Sequence, residues 1–323
     1  MKRKTFRILA AALVACTFSA QAQNSFPAQP VKWVVPYAPG GTTDVIARHL
    51  AVRMGQDLGQ PVIIDNKPGA ASIIGATFIA RSAPDGYTVG TADSGTLAFN
   101  PAMYSSLTYN AEKDFSYIGG LGRMPLVLAV HPSFPAKNLQ EYLAQVRKAP
   151  GSISSASSGP GSPLHVALEL FKQRTHTDIL HVAYKGSAPA LQDLMAGQVQ
   201  SMFVDLPPSL SMIKAGKIRV LAVATPQRLS ILPDVPTMAE AGVPGFEAYA
   251  WQGFVGPAKL PASVVERLNK DLVTALKDPG IRAKLEELGI QPMSMTPQQF
   301  AEFTRSEQKL WAGVIKAANI RLD

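Results

Sequence analysis

The segment Pro36-Tyr37-Ala38-Pro39-Gly40-Gly41-Thr42-Thr43-Asp44 gathers residue types that can receive a small anion. Tyr37, Thr42 and Thr43 supply hydroxyls, while Gly40 and Gly41 lack the Cβ atoms that would hold a ligand away from backbone amides. An apolar run at 31–35 precedes the segment, and Ile46, Leu50, Met54 and Leu58 follow at helical spacing. The order is therefore strand, glycine turn, helix start. Amides in a first helical turn have no intrahelical partner and lie at the positive end of the dipole. Thr42 or Thr43 is the natural N-cap, Asp44 suits the first turn and Gly59 ends the helix. Asp44 reads as structural, because a carboxylate beside an anion site repels the ligand. The plain alternative for the whole segment is a glycine turn that only closes a βα connection.

A second segment repeats the design: Ser152 to Ala156 reads as a short strand, and Ser158, Gly159, Gly161 and Ser162 lead into a helix. Ser162 as N-cap and Pro163 at the first helical position mark that start. A third junction runs through Tyr184, Lys185 and Ser187, with Ser187 as cap and Gly197 as terminator. There Tyr184, Lys185 or exposed amides either face a ligand or belong to an ordinary capped turn. Asp205 closes the run Met202-Phe203-Val204, where it either accepts a bond from a ligand amine or hydroxyl or caps the following helix.

Enzyme motifs are weak by comparison. Ser211 and Lys214 have the S-x-x-K spacing, but S-D-N and K-T-G partners are missing. His165 and Glu169 stand one helical turn apart without a third metal ligand, so an interior hydrogen-bonded histidine is the better account. No G-x-S-x-G elbow occurs, and the Gly40-Gly41 loop lacks the lysine of a P-loop. No catalytic residue, metal or cofactor is expected.

The elements that position these loops alternate along the chain. Strands are expected at 31–35, 61–65, 87–92, 126–130, 153–157, 179–184, 200–205 and 219–224, with an extended run at 249–255. Helices are expected at 43–58, 71–81, 138–148, 163–174, 188–196, 208–215, 262–277, 281–288 and 297–318. Short, continuously apolar strands suit a parallel sheet covered on both faces, which makes the fold class α/β and doubly wound. Ligands of such sheets bind beyond the carboxyl ends of the strands, where the glycine loops lie. Past residue 255 only helices remain, and they need a sheet to cover. The chain is therefore expected to leave a first lobe near 120–125 and return near 248–254. That gives one lobe of 23–124 with 248–323, another of 125–247, two crossovers and a cleft.

The chain opens on a leader: Lys2, Arg3, Lys4 and Arg7, an apolar stretch at 8–18, and the A-x-A site Ala20-Gln21-Ala22. Cleavage after Ala22 releases an exported, periplasmic chain that starts at Gln23. Cys16, the one cysteine, sits in the leader, where Leu13-Val14-Ala15-Cys16 offers a lipoprotein box as the alternative. Four of the charges behind the formal +8 belong to the leader, so the remainder carries +4 and has no polybasic tract for nucleic acid.

Four stretches, V-P-Y-A-P-G-G-T-T-D, S-S-G-P-G-S-P-L-H, V-A-Y-K-G-S-A-P-A-L-Q-D-L-M-A-G-Q-V and L-P-D-V-P-T-M-A-E-A-G-V-P-G-F-E, resemble in order and spacing the Bug-type receptors. These are the extracytoplasmic solute-binding proteins of tripartite tricarboxylate transporters. The resemblance covers nearly all of the chain beyond the leader. It implies a type II periplasmic-binding-protein fold whose two α/β lobes close on a small carboxylate, an organic acid or acidic amino acid. It further implies delivery to membrane permease subunits by a monomer. In such receptors the loops matching Tyr37, Ala38, Gly40, Gly41, Thr42 and Thr43, and Ser158, Gly159, Gly161 and Ser162, hold the carboxylate through amides, hydroxyls and water. Residues matching Ser94, Thr96 and Asp205 line the pocket, although Asp93 stands where a neutral residue is expected. An exported carboxylate sensor is the second reading, and an exported hydrolase a distant third.

Overall fold

The computed structural model describes residues 26–322. The leader, its cleavage site and Cys16 lie outside the described residues. Strand β1 (Val31–Val35) explains the class of the fold. Val31, Trp33 and Val35 are buried with one core, and Val34 with the other, so the strand is apolar on both faces apart from the exposed Lys32. Helix α1 (Thr42–Leu58) covers the first face with Ile46, Leu50 and Met54, all fully buried. Gly59 ends it in the left-handed region.

The remaining strands are β2 (Val62–Asn66), β3 (Thr88–Asp93), β4 (Phe115–Val130), β5 (Ser154–Ser157), β6 (Leu180–Ala183), β7 (Ser201–Asp205), β8 (Arg219–Val223), β9 (Tyr249–Pro257) and β10 (Gln291–Pro292). Their order is β2-β1-β3-β9-β4-β7-β5-β6, with β8 and β10 also paired to β4. The expected all-parallel sheet is corrected here to a mixed one. β1 is parallel to β2 and β3, and β5 to β6 and β7, but β9 is antiparallel to β3 and β4, and β4 to β7 and β8. The chain passes from one parallel set to the other on β4 and returns on β9, so these neighbours must oppose each other.

β4 also begins eleven residues before the expected 126. Gly119, Gly120 and Gly122 resemble a turn in sequence, yet they are strand residues. A Cβ at Gly120 would come within 2.6 Å of Met293, and one at Gly119 within 2.9 Å of Asn269, so the C-terminal segment packs directly onto the strand backbone.

Helices α2 (Ile73–Ala80), α4 (Leu139–Lys148), α5 (Pro163–Thr175), α6 (Ser187–Met195), α7 (Leu206–Lys214), α8 (Ala262–Lys277), α9 (Pro279–Glu287) and α10 (Pro297–Ala317) follow the expected ranges closely. A π-helical turn at Gly95–Phe99, running into the short α3 (Asn100–Met103), was not foreseen. α8 buries Leu268, Leu272 and Leu276 in one core with α1, while α10 contributes Phe300, Trp311 and Ile315 to the other.

Candidate functional site

Strand direction and register build the site. β3 ends at Asp93, which pairs with Gln252 of β9, and Gln252 pairs in turn with Gly122 of β4. β7 ends at Asp205, paired with Leu126 of the same β4. β3 runs with β4 and β7 against it, so the two parallel sets aim their carboxyl ends at one another. The gap between them spans four positions of β4, about 13 Å at strand rise. The loop after β1 lies at the first edge, and those after β5 and β6 at the second.

At the first edge, Asp44 organises the glycine loop. Its carboxylate accepts from Gly40 N at 2.9 Å, Arg48 Nε at 2.8 Å and Asn66 Nδ2 at 2.9 Å. Burial opposes its ionisation, but these hydrogen bonds prevail and hold the carboxyl below the usual range. Asn66 also donates to Tyr37 O at 3.0 Å. The Gly40 amide is thereby taken. Among the described residues the amides of Thr42, Thr43 and Asp44 find no partner in the chain. The helix cap is Gly41 and no side chain caps it, which corrects the expectation for Thr42 or Thr43. Thr43 Oγ1 instead accepts from Gln252 Nε2 at 2.7 Å. Gly40 sits at φ +85, whereas Gly41 has an ordinary φ of −74. A Cβ at Gly41 would stand in open space, with Ala38 O nearest at 3.8 Å. Ala38, Gly40 and Gly41 are exposed, and Thr42 and Thr43 are half-buried.

Asp93 is a neighbour of the site with its acceptors filled. The Tyr37 hydroxyl donates to one oxygen, and Thr96 donates to the other from N at 2.8 Å and Oγ1 at 2.9 Å. Tyr37 and Thr96 thus spend their polar hydrogens inside the chain. Burial, then the Asp93 charge, pushes the Tyr37 phenol well above its ordinary value. Ser94 is buried, and its hydroxyl has no partner among the described residues. Ser72, absent from the sequence expectations, closes the network on Thr96 Oγ1 at 2.7 Å. It ends a run of positive φ, Ala70 at 46, Ala71 at 47 and Ser72 at 72, which delays α2 past the expected residue 71.

The second edge is built differently. Ser162 caps α5 as expected, accepting from His165 N at 3.3 Å. The Gly161 amide donates to His165 Nδ1 at 3.0 Å, and Ser157 Oγ meets His181 Nε2 at 2.7 Å. The two imidazoles stack with centroids 3.8 Å apart and planes within 8°. Burial, with His181 and Lys172 adding repulsion, lowers His165 to about 3, so it is a neutral acceptor that fixes the loop. Gly159 N points to Ser157 Oγ at 3.2 Å. This loop therefore offers fewer free amides than the first, while the half-buried Ser158 hydroxyl has no partner among the described residues.

The third junction lies against the second: Gly186 N donates to Ser158 O at 3.1 Å and Tyr184 N to Ser157 O at 3.0 Å. Tyr184 donates its hydroxyl to Asp193 Oδ2 at 2.6 Å, and Lys185 is exposed. Gly186, not Ser187, occupies the cap position of α6, and no side chain caps it. Asp205 precedes α7 without capping it, and its carboxylate makes no hydrogen bond or ion pair among the described residues. Burial pushes its carboxyl up to about 6, although the residue keeps some solvent contact, as in a crevice. Gln252 is the residue that sequence reasoning missed. A lone amide within the apolar run 249–255 was the available signal, and it is 2% exposed with Oε1 unpartnered. A cavity of about 720 Å³ lies away from both edges, between the 98–112 segment and α10, and its lining includes none of these loop residues.

The family described as tripartite tricarboxylate transporter family receptor matches residues 46–320. Protein BugT of Bordetella pertussis is 35% identical over 300 residues, which cover 93% of this chain and 92% of BugT. A solved periplasmic transporter is 42% identical, with a TM-score of 0.81 over 93% of this chain and 100% of that one. R. palustris Rpa4515, solved with adipate, is 36% identical, with a TM-score of 0.82 over 92% of this chain and 99% of that one.

Proposed function

We propose, from the premise that the chain belongs to the tripartite tricarboxylate transporter receptor family, that it captures a small carboxylate between its two sheet edges and delivers it to a membrane permease. The unpartnered amides of Thr42, Thr43 and Asp44, set opposite the Ser158 loop, carry this reading. A helix N-terminus stabilises an anion by about 0.3–1 kcal/mol, and by about 2 when partly buried. Each hydrogen bond to a charged group adds about 1.5–3 kcal/mol. Three or four such bonds, less the cost of ordering, correspond to roughly micromolar affinity, about −8 kcal/mol.

The solved relative that holds adipate supports a carboxylate ligand for this chain. In this reading the working unit is a monomer of two lobes, 23–124 with 248–323 and 125–247, that hinge on β4 and β9. The leader is removed after Ala22, and an intact mass carrying lipid on Cys16 would contradict that. No catalytic step is assigned: the Ser157–His181 pair at the second edge keeps its serine fully buried, where it braces the loop. The test is calorimetric titration with a panel of small carboxylates, followed by recovery of the ligand. Saturable micromolar binding with the ligand recovered unchanged is expected. Turnover, or no binding by any carboxylate, would refute the proposal.

A further inference from the structure

Resting on carboxylate capture in this cleft, we infer that the preferred ligand is a monocarboxylate whose other polar groups are hydrogen-bond donors, such as a primary amide, hydroxyl or ammonium, in place of a second ionised carboxylate. Among the described residues the free amides at the first edge, Thr42 to Asp44, suffice for one carboxylate. The uncapped N-terminus of α6 at the second edge leaves the Ser187 and Ala188 amides free as well. Between these two ends the strands present acceptors. Gln252 spends its amide nitrogen on Thr43 and leaves Oε1 buried and unpartnered, which favours a donor brought by the ligand. Asp205 offers a carboxylate with no partner among the described residues.

Register places these acceptors together. Directly paired strand residues share a face, and side chains alternate along a strand. Gln252 lies opposite Gly122 and Asp205 opposite Leu126, and the pairing of β4 is regular from 122 to 130 along β9 and then β7. Gly122 and Leu126 have the same parity, so Gln252 and Asp205 project from one face at facing edges. The two arginines near the site are engaged elsewhere. Arg48 is bound to Asp44 and Asn66. Arg123 projects from the other face, stacked on Tyr249 at 4.5 Å and bonded to Gln291. Lys185 lies exposed at the second edge and forms no ion pair with Asp205.

The test compares ligands matched in length that differ only at one end: succinate with succinamate, glutarate with glutaramate, and adipate with adipamate. Each is titrated calorimetrically at about pH 7.5, where Asp205 is ionised. At least one amide acid should bind ~10-fold or more tighter than its dicarboxylate, because apposing like charges in a desolvated site is costly. Asp205→Asn, an isosteric change, should erase or reverse that preference. Dicarboxylates that bind as tightly as their amides in every pair, or a preference unchanged in Asp205→Asn, would overturn the inference while leaving carboxylate capture intact. Failure of both series to bind would overturn carboxylate capture and this inference with it.

Discussion

Asp205 is held where its charge is disfavoured. Burial raises its carboxyl to about 6, and no hydrogen bond or cation compensates. A proton is thus bound more tightly in the folded chain than in the unfolded one, where the value is about 3.9. Stability is therefore fullest below about pH 4 and falls as pH rises through about 6, by on the order of 2–3 kcal/mol. Thermal unfolding of Asp205→Asn should show a higher midpoint than wild type at about pH 7.5 and little difference near pH 4. An equal effect at both values would show that the carboxylate is not strained. Residue types and loop positions at the site were legible in the sequence, including the structural role of Asp44 and the Ser162 cap. What was not legible was which polar atoms remain free. Tyr37 and Thr96 are consumed by Asp93, and Gln252 reaches Thr43 across 209 residues of chain. Such pairings depend on strand order, which local spacing does not carry.

Among the elements, helices with regular apolar spacing were placed within a residue or two, because their buried stripe fixes their extent. Caps and irregular turns were less legible. Gly41 replaced a threonine as the cap of α1, and the positive-φ run before Ile73 had no signature beyond one glycine. β4 was cut short in the sequence because its glycines answer to distant packing by Asn269 and Met293. The C-terminal helices carry the clearest prediction at this scale. Leu268, Leu272 and Leu276 of α8 share a core with Trp33, Ile46, Leu50 and Met54, and all are buried to within 1%. Burying each such side chain contributes about 1.5–3 kcal/mol, so losing several exceeds a typical folding free energy of about 5–15 kcal/mol. Deletion of residues 262–323 should abolish the cooperative unfolding transition of the first half in denaturant. A truncated chain that kept a sharp transition with an unchanged midpoint would show that α8 to α10 are not part of that core.

For the whole molecule, two parallel sets of strands are joined within the sheet through β4 and β9, with their carboxyl edges opposed. In the proposed capture one ligand touches both halves, and binding stabilises the closed form at the expense of the open one. In that reading the α1 N-terminus supplies the charge-binding amides, and the Ser158 loop, braced by His165 and His181, faces them. The most direct measurement is carboxylate binding to the double variant Gly41→Val, Ser162→Ala, set beside wild type in one calorimetric titration. A valine at residue 41 meets open space and a permitted φ, so it should leave the turn intact and obstruct the ligand. Losing the Ser162 cap should lower stability by about 1 kcal/mol without unfolding the chain. The account predicts a folded variant whose carboxylate affinity falls by ~100-fold or more, equivalent to at least two hydrogen bonds to charge. A folded double variant that binds carboxylate as tightly as wild type would contradict capture between these edges and place the ligand elsewhere.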